Sequence, residues 1–126
     1  MSYQELVAAL IKHALAWGGP EPMDLPNVPA QEHQGNWLRV NVVPGDTFTA
    51  EVGGKPCPRM TGLVIVQVFT ELEKGPGPAY DIATRIGEHM AYQTLGRVFT
   101  RAYTPQDFGE MKGHYQVNVS IPYVAQ

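Results

Sequence analysis

His114-Tyr115-Gln116-Val117-Asn118-Val119-Ser120-Ile121-Pro122-Tyr123-Val124-Ala125 decides how the rest of the chain is read. Tyr115, Val117, Val119, Ile121 and Tyr123 alternate with His114, Gln116, Asn118, Ser120 and Pro122. A period of two predicts a strand with one greasy and one polar face. The polar face holds two amides and a hydroxyl but no carboxylate, lysine or arginine. Desolvating neutral groups costs less than desolvating charges, so this face suits burial against another subunit.

Working back from that strand, Arg97 to Tyr103 reads as a strand with Phe99 and Tyr103 opposite Val98 and Ala102, and Thr104 to Gly109 as the loop between the two. Before them, Tyr80, Ala83, Ile86 and Met90 with Ile82 recur at helical spacing and predict a helix through about Tyr92. Gly75-Pro76-Gly77-Pro78 is the turn that starts it, and Asp81 complements its dipole. Arg59 to Glu71 predicts a strand whose centre, Leu63 to Phe69, is apolar on both sides and so central and covered twice.

Trp37 to Val43 predicts another strand, with Leu38, Val40 and Val42 opposite Arg39 and Asn41, broken by Pro44-Gly45. Residues 45–58 form a ragged hairpin arm that pairs residues 47–51 with the segment after Gly53-Gly54. Pro56 and Pro58 donate to no ladder, so the arm leaves the sheet and is mobile in an isolated subunit. Residues 18–36 are an ordered, proline-rich crossing that tucks Met23, Leu25 and Val28 against the core. At the start, Ser2-x-x-Glu5 is a capping box for an amphipathic helix over residues 3–17, carried by Leu6, Leu10, Ala14 and Trp17. Gly18-Gly19-Pro20 ends it with a left-handed cap.

The pattern predicts an α+β protein in one domain, residues 1–126. Its sheet is mixed but largely antiparallel, of about four to five strands, with two helices packed on it in the order α-β-(arm)-β-α-β-β. A chain of 126 residues with 44% hydrophobic and 17% charged residues supports one core without staples. The net charge of −3 supplies no bulk attraction for nucleic acid. Cys57 is the single cysteine, so no internal disulfide forms. Met1-Ser2-Tyr3-Gln4-Glu5 lacks a basic secretory leader and no apolar run is long enough to span a bilayer, which predicts folding in the cytosol and no membrane partner.

No catalytic, cofactor-binding or metal-binding set emerges. His13, His33, His89 and His114 fall on different predicted elements and read as solvated or subunit-edge histidines. Cys57 sits between prolines and between Lys55 and Arg59, without a partnered base, and reads as structural. Gly53-Gly54-Lys55 lacks the rest of a phosphate loop. Arg97, Phe99 and Arg101 share one strand face, read as a subunit contact or solvated face before a nucleic-acid platform.

Taken together, the short helix ending near Trp17, the crossing into Gly35-Asn36-Trp37-Leu38-Arg39-Val40-Asn41-Val42-Val43-Pro44, the return strand ending Gln67-Val68-Phe69, the helix opening at Ala79-Tyr80 and the close on Tyr115 to Tyr123 resemble the small tail terminator proteins of long-tailed phages, prophages and gene-transfer particles. The resemblance spans nearly the whole chain and is weakest over Gly53 to Pro58. It implies a structural virion protein and no enzyme: a ring, usually of six copies, that caps the tail tube, stops its growth and docks the tail to the head. The implied partners are further copies, the tail tube protein and a head-completion or connector protein, with DNA passing through the ring ungripped. Phe48, Glu51, Lys55, Arg59, Arg97, Phe99, Arg101, Gln116, Asn118 and Ser120 are the expected interface residues. The alternatives are another neck, head-completion or tail tube protein, or a small α+β enzyme with its site between subunits.

Overall fold

A computed structural model describes residues 1–29 and 32–126, with the side chain of Val52 left aside. Helix α1 (Tyr3–Leu15) begins at Ser2, whose hydroxyl accepts the Glu5 amide at 3.1 Å and donates to the Glu5 carboxylate. Leu6, Leu10 and Ala14 are fully buried along it. Its end differs from expectation. Ala16 stays right-handed, and the last carbonyls are taken by the Ala16 and Trp17 amides, so no left-handed glycine cap is used.

The crossing carries a two-residue strand, β1 (Met23–Asp24), parallel to the start of β2 (Trp37–Val52). Met23 and Leu25 pack on the core as expected, whereas Val28 is exposed; residues 30–31 of the crossing lie outside the described residues. Strand β2 does not break at Pro44-Gly45. A bulge between Pro44 and Thr47 absorbs the proline and the ladder continues. Its partner β3 (Lys55–Thr70) pairs with it from Trp37–Phe69 to Val52–Lys55. Gly53 (φ 61°) and Gly54 (φ 78°) make the two-residue turn, both in the left-handed region that a type I′ hairpin needs.

Helix α2 (Gly77–Met90) has Pro78 in its first turn and buries Ala79, Ile82, Ala83, Ile86, Gly87 and Met90. Two expectations fail here. Tyr80 faces outward, its hydroxyl donating to Asp107 at 2.8 Å, and Asp81 pairs with Arg85 one turn on instead of with the dipole. Gly87 has a packing reason: a Cβ there would stand 2.5 Å from the Tyr103 ring.

After α2 come β4 (Thr94–Leu95), β5 (Val98–Thr100), β6 (Thr104–Met111) and β7 (His114–Ala125). The expected loop at Thr104–Gly109 is therefore a strand, joined to β7 through Lys112 (φ 50°) and Gly113 (φ 85°). The expected strand at Arg97–Tyr103 shortens to β5. Both β5 and β6 pair along the same edge of β7, a strand broken at residues 101–103 where the Arg101 amide still reaches the Pro122 carbonyl. Among the described residues the sheet has seven strands, not four or five, in the order β1-β2-β3-β7-β5-β4, with β6 also on β7. The α+β class and the mixed, largely antiparallel pairing stand.

One core fills the space between the helices and one sheet face: Leu38 and Val40 of β2, Val64, Val66 and Val68 of β3, and Val117, Val119, Ile121 and Tyr123 of β7. Tyr115 packs at its margin. The double cover expected for β3 is absent among the described residues, because both helices lie on the same side and Leu63 remains 36% exposed.

Candidate functional site

Alternation through the ladders makes the opposite sheet face a set of registered rows. Trp37, Phe69 and Gln116 form one; Arg39, Gln67, Asn118 and Gln106 the next; then Asn41, Ile65, Ser120 and Thr104; then Val43, Leu63 and Pro122; then Thr61, Val124 and Phe99; and finally Phe48 with Arg59. No carboxylate stands in any of these rows. Arg101 joins Phe48, Arg59 and Phe99 around a hollow of about 490 Å³ at the arm end, and Arg97 lies beside Phe99 and Cys57 in the adjoining one.

Four of the five arginines, Arg39, Arg59, Arg97 and Arg101, thus belong to this face, and only Arg85 lies elsewhere. The remaining residues carry 5 cations against 12 carboxylates, a balance of −7 beside +4 on the face, which together give the overall −3. The small net charge conceals a strong separation of sign. Among the described residues the ion pairs are His33–Asp24, Arg85–Glu21 and Arg85–Asp81, and none involves the four facial arginines. The Arg59 guanidinium instead lies 5.9 Å from the Phe48 ring centre.

At the far end, Trp37 stacks on Phe69 at 4.1 Å, and the His114 ring meets both edge-on. With Arg39, Gln67, Gln116, Met111 and Lys112 they border a second hollow of about 460 Å³. Arg39 Nε is buried there without a hydrogen-bond partner. Gln116, expected to face outward, is 7% exposed and donates to Asn118 at 2.8 Å. Asn118 and Ser120 remain half-buried, whereas Glu51 and Lys55 project at the arm tip and meet none of the others.

The histidines depart from the solvated reading. His13 and His89 stack with ring centres 4.2 Å apart, and each Nε2 donates to the other residue's backbone carbonyl, at 2.8 and 2.6 Å. This clasp ties the two helix C-termini together. His33 bonds Asp24 at 2.7 Å and leans on Trp37. No group of three or more metal-ligating side chains occurs among the described residues, and Cys57 Sγ reaches only the Pro58 carbonyl. On the helix side, Asp107 accepts from the Tyr80 and Tyr115 hydroxyls and from the Gly109 amide. These bonds, that from Tyr115 foremost, hold its carboxyl below the usual range, and the same carboxylate pushes the Tyr115 phenol up to about 12.

The sheet face is aromatic and arginine-bearing at its ends and amide-rich between. The family model described as "Phage tail terminator protein" matches residues 5–123. The chain belongs to the phage tail terminator family. It is therefore a structural component of a phage tail, in a family whose role is not enzymatic. A search of curated proteins returns no match. One solved structure is similar with a TM-score of 0.72 at 21% identity, over 100% of this chain and 96% of its own, and so shares the fold. No helix of the described residues is long and apolar enough to cross a membrane.

The expected interface residues Phe48, Arg59, Phe99 and Arg101 meet in one hollow although they come from three strands and the break after β5. The Trp37–Phe69–His114 wall was missed. Its signal lay in the alternation that put Trp37 on the same side as Arg39 and Asn41, but the partners across β3 and β7 depend on register, which one strand's pattern does not contain.

Proposed function

We propose that this tail terminator protein caps the tail tube as a closed ring of identical copies, ends tube growth and presents the docking surface for the head. Membership of the family over nearly the whole chain supports a tail role, and one observation carries the finer reading. Leu63, Val43, Phe48 and Phe99 remain 36 to 49% exposed on a sheet face that no described element of the chain covers. Such a face requires a neighbour. A tube grows by contacts that do not close along its axis, so a terminator must match the tube's receiving end on one side, differ on the other and close laterally. DNA passes through the ring, with the conducting surface supplied by the carboxylate-rich remainder of the chain, which does not grip phosphate.

Electron microscopy of the purified protein with tail tubes tests this. Capped tubes of fixed length with a ring at one end are expected, and loss of the protein should give overlong headless tails together with filled heads lacking tails. Normal-length, head-attached tails without the protein would overturn the proposal.

A further inference from the structure

We infer that the arginine-bearing sheet face receives the outer stripe of α2 from a second copy of this chain, in a head-to-tail contact. This rests on the ring reading and names the two surfaces that meet. The stripe consists of Asp81, Thr84 and Glu88, with Tyr92 just past the helix, all exposed at three- and four-residue intervals. The cation beside it, Arg85, is held by Glu21 at 2.6 Å and Asp81 at 3.1 Å, which leaves Glu88 as the stripe's free charge.

Tyr92 marks the end of the stripe as built for contact. It is 77% exposed, the most exposed of the large hydrophobic side chains among the described residues, and its φ of 56° is in the left-handed region that a tyrosine rarely adopts. The turn that carries it is clamped. The Gln93 amide donates to Thr100 Oγ1 at 2.7 Å, Thr100 Oγ1 donates to the Met90 carbonyl at 2.6 Å, and the Thr100 amide donates to the Gln93 carbonyl at 2.9 Å. An aromatic ring is thus held out into solvent by a strained and well-secured backbone, a cost that structures retain where a contact needs it.

The receiving face has matching chemistry. Phe48 and Phe99, both half-exposed, flank the arm-end hollow, and Arg59 and Arg101 line it. Tyr92 enters between the rings while Glu88 meets the guanidiniums. Aromatic residues and arginine are enriched at protein interfaces, where lysine is depleted. The stripe from Asp81 to Tyr92, about 16 Å long, spans the arm-end half of a sheet face that measures roughly 33 by 19 Å. Charge decides the geometry. Two copies meeting face to face would bring eight arginines together without a carboxylate in the rows, whereas the α2 stripe of the next copy offers the carboxylate of Glu88. Unlike surfaces meeting in this way close into a ring when the rotation permits.

Sedimentation velocity of the full chain over a range of concentration and salt tests the contact, with Arg101→Glu, Glu88→Arg, Tyr92→Ala and the double variant Arg101→Glu/Glu88→Arg. Each single change should weaken self-association about tenfold or more, the double charge exchange should regain most of it, and raising salt from about 50 to about 500 mM should weaken the parent. Circular dichroism checks folding, and Arg101→Gln and Glu88→Gln replace any reversal that unfolds. A parent chain that stays monomeric throughout, or single variants that assemble like the parent, overturns the inference. Loss in the Arg101 variant alone, with no effect at Glu88 or Tyr92, overturns it in favour of a different surface of the second copy on this face. Mixing with tail tubes separates the two proposals: assembled rings that leave tube ends open sink the capping role and spare this contact, whereas monomers that cap tubes do the reverse.

Discussion

At the residue scale, one glycine and one hydrogen-bonded carboxylate carry consequences that composition hides. A Cβ on Gly62 would stand 2.5 Å from the Tyr123 hydroxyl and 2.6 Å from the Val43 carbonyl, so the close passage of β2, β3 and β7 depends on its absence. Gly62→Ala should cost about 1 to 3 kcal/mol, read as a lowered melting temperature, because the obstructing carbonyl belongs to the backbone and does not yield. An unchanged melting curve would mean the strands shift freely there. Asp107 has a lowered folded-state pKa, so its contribution to stability is present above the unfolded carboxyl's pKa and lost as pH falls through the folded value. Tyr115 is the reverse case: its contribution is complete below the ordinary phenol pKa and is lost as pH rises through about 12. NMR titration of Tyr115→Phe should find the Asp107 midpoint moved upward toward the ordinary carboxyl range; an unmoved midpoint would show that the bond from Tyr115 is not its main cause.

Among the elements, β7 and the hairpin arm sit at opposite extremes. Strand β7 pairs with β3 on one edge and with β5 and β6 on the other, and it buries Val117, Val119, Ile121 and Tyr123. Each such side chain is worth roughly 1.5 to 3 kcal/mol, against a total stability of about 5 to 15. Truncation at Gly113 should therefore leave an unfolded chain, and a soluble, folded product by circular dichroism would contradict the placement of the core. Before Met60, at residues 55–59, β3 lacks β7 and keeps only β2 for company. Amide exchange over residues 47–58 should accordingly be faster than over 63–69 in the isolated subunit and slow on assembly. Equal, strong protection in both states would exclude an arm that orders on contact.

For the whole molecule, the separation of an arginine-bearing sheet face from a carboxylate-rich remainder makes assembly, not catalysis, the expected site of sensitivity. Replacing Cys57 with alanine should leave the yield of infectious particles within about twofold of the parent, since its thiol meets only the Pro58 carbonyl. An abolished yield would instead demand a chemical role for that thiol. Reversal of Arg59 or Arg101 should act in the opposite sense, lowering assembly while the melting temperature moves little, because surface changes away from packed groups rarely alter stability by more than about 0.5 kcal/mol.

Periodicity alone was enough for both helices and the alternation of β7, since period and burial are properties of one segment against one core, whereas the expected break at Pro44-Gly45 is a bulge in a ladder that runs on to Val52–Lys55. The same reading mistook Thr104–Gly109 for a loop. Pro105 and Gly109 are turn formers locally, and only the edge offered by β7 makes them a strand with a register shift beside Asp107. It also counted β3 as covered twice, because an apolar run does not say which side the helices will take. His13 and His89 are 76 residues apart, and their clasp exists only because α1 and α2 pack together. The meeting of Phe48, Arg59, Phe99 and Arg101 is of the same kind. The chain's own pattern determined its class, its main elements and, through whole-length resemblance, its family; strand register and the choice of a single sheet face for both helices were decided by tertiary packing, because they depend on which distant segments exclude water together.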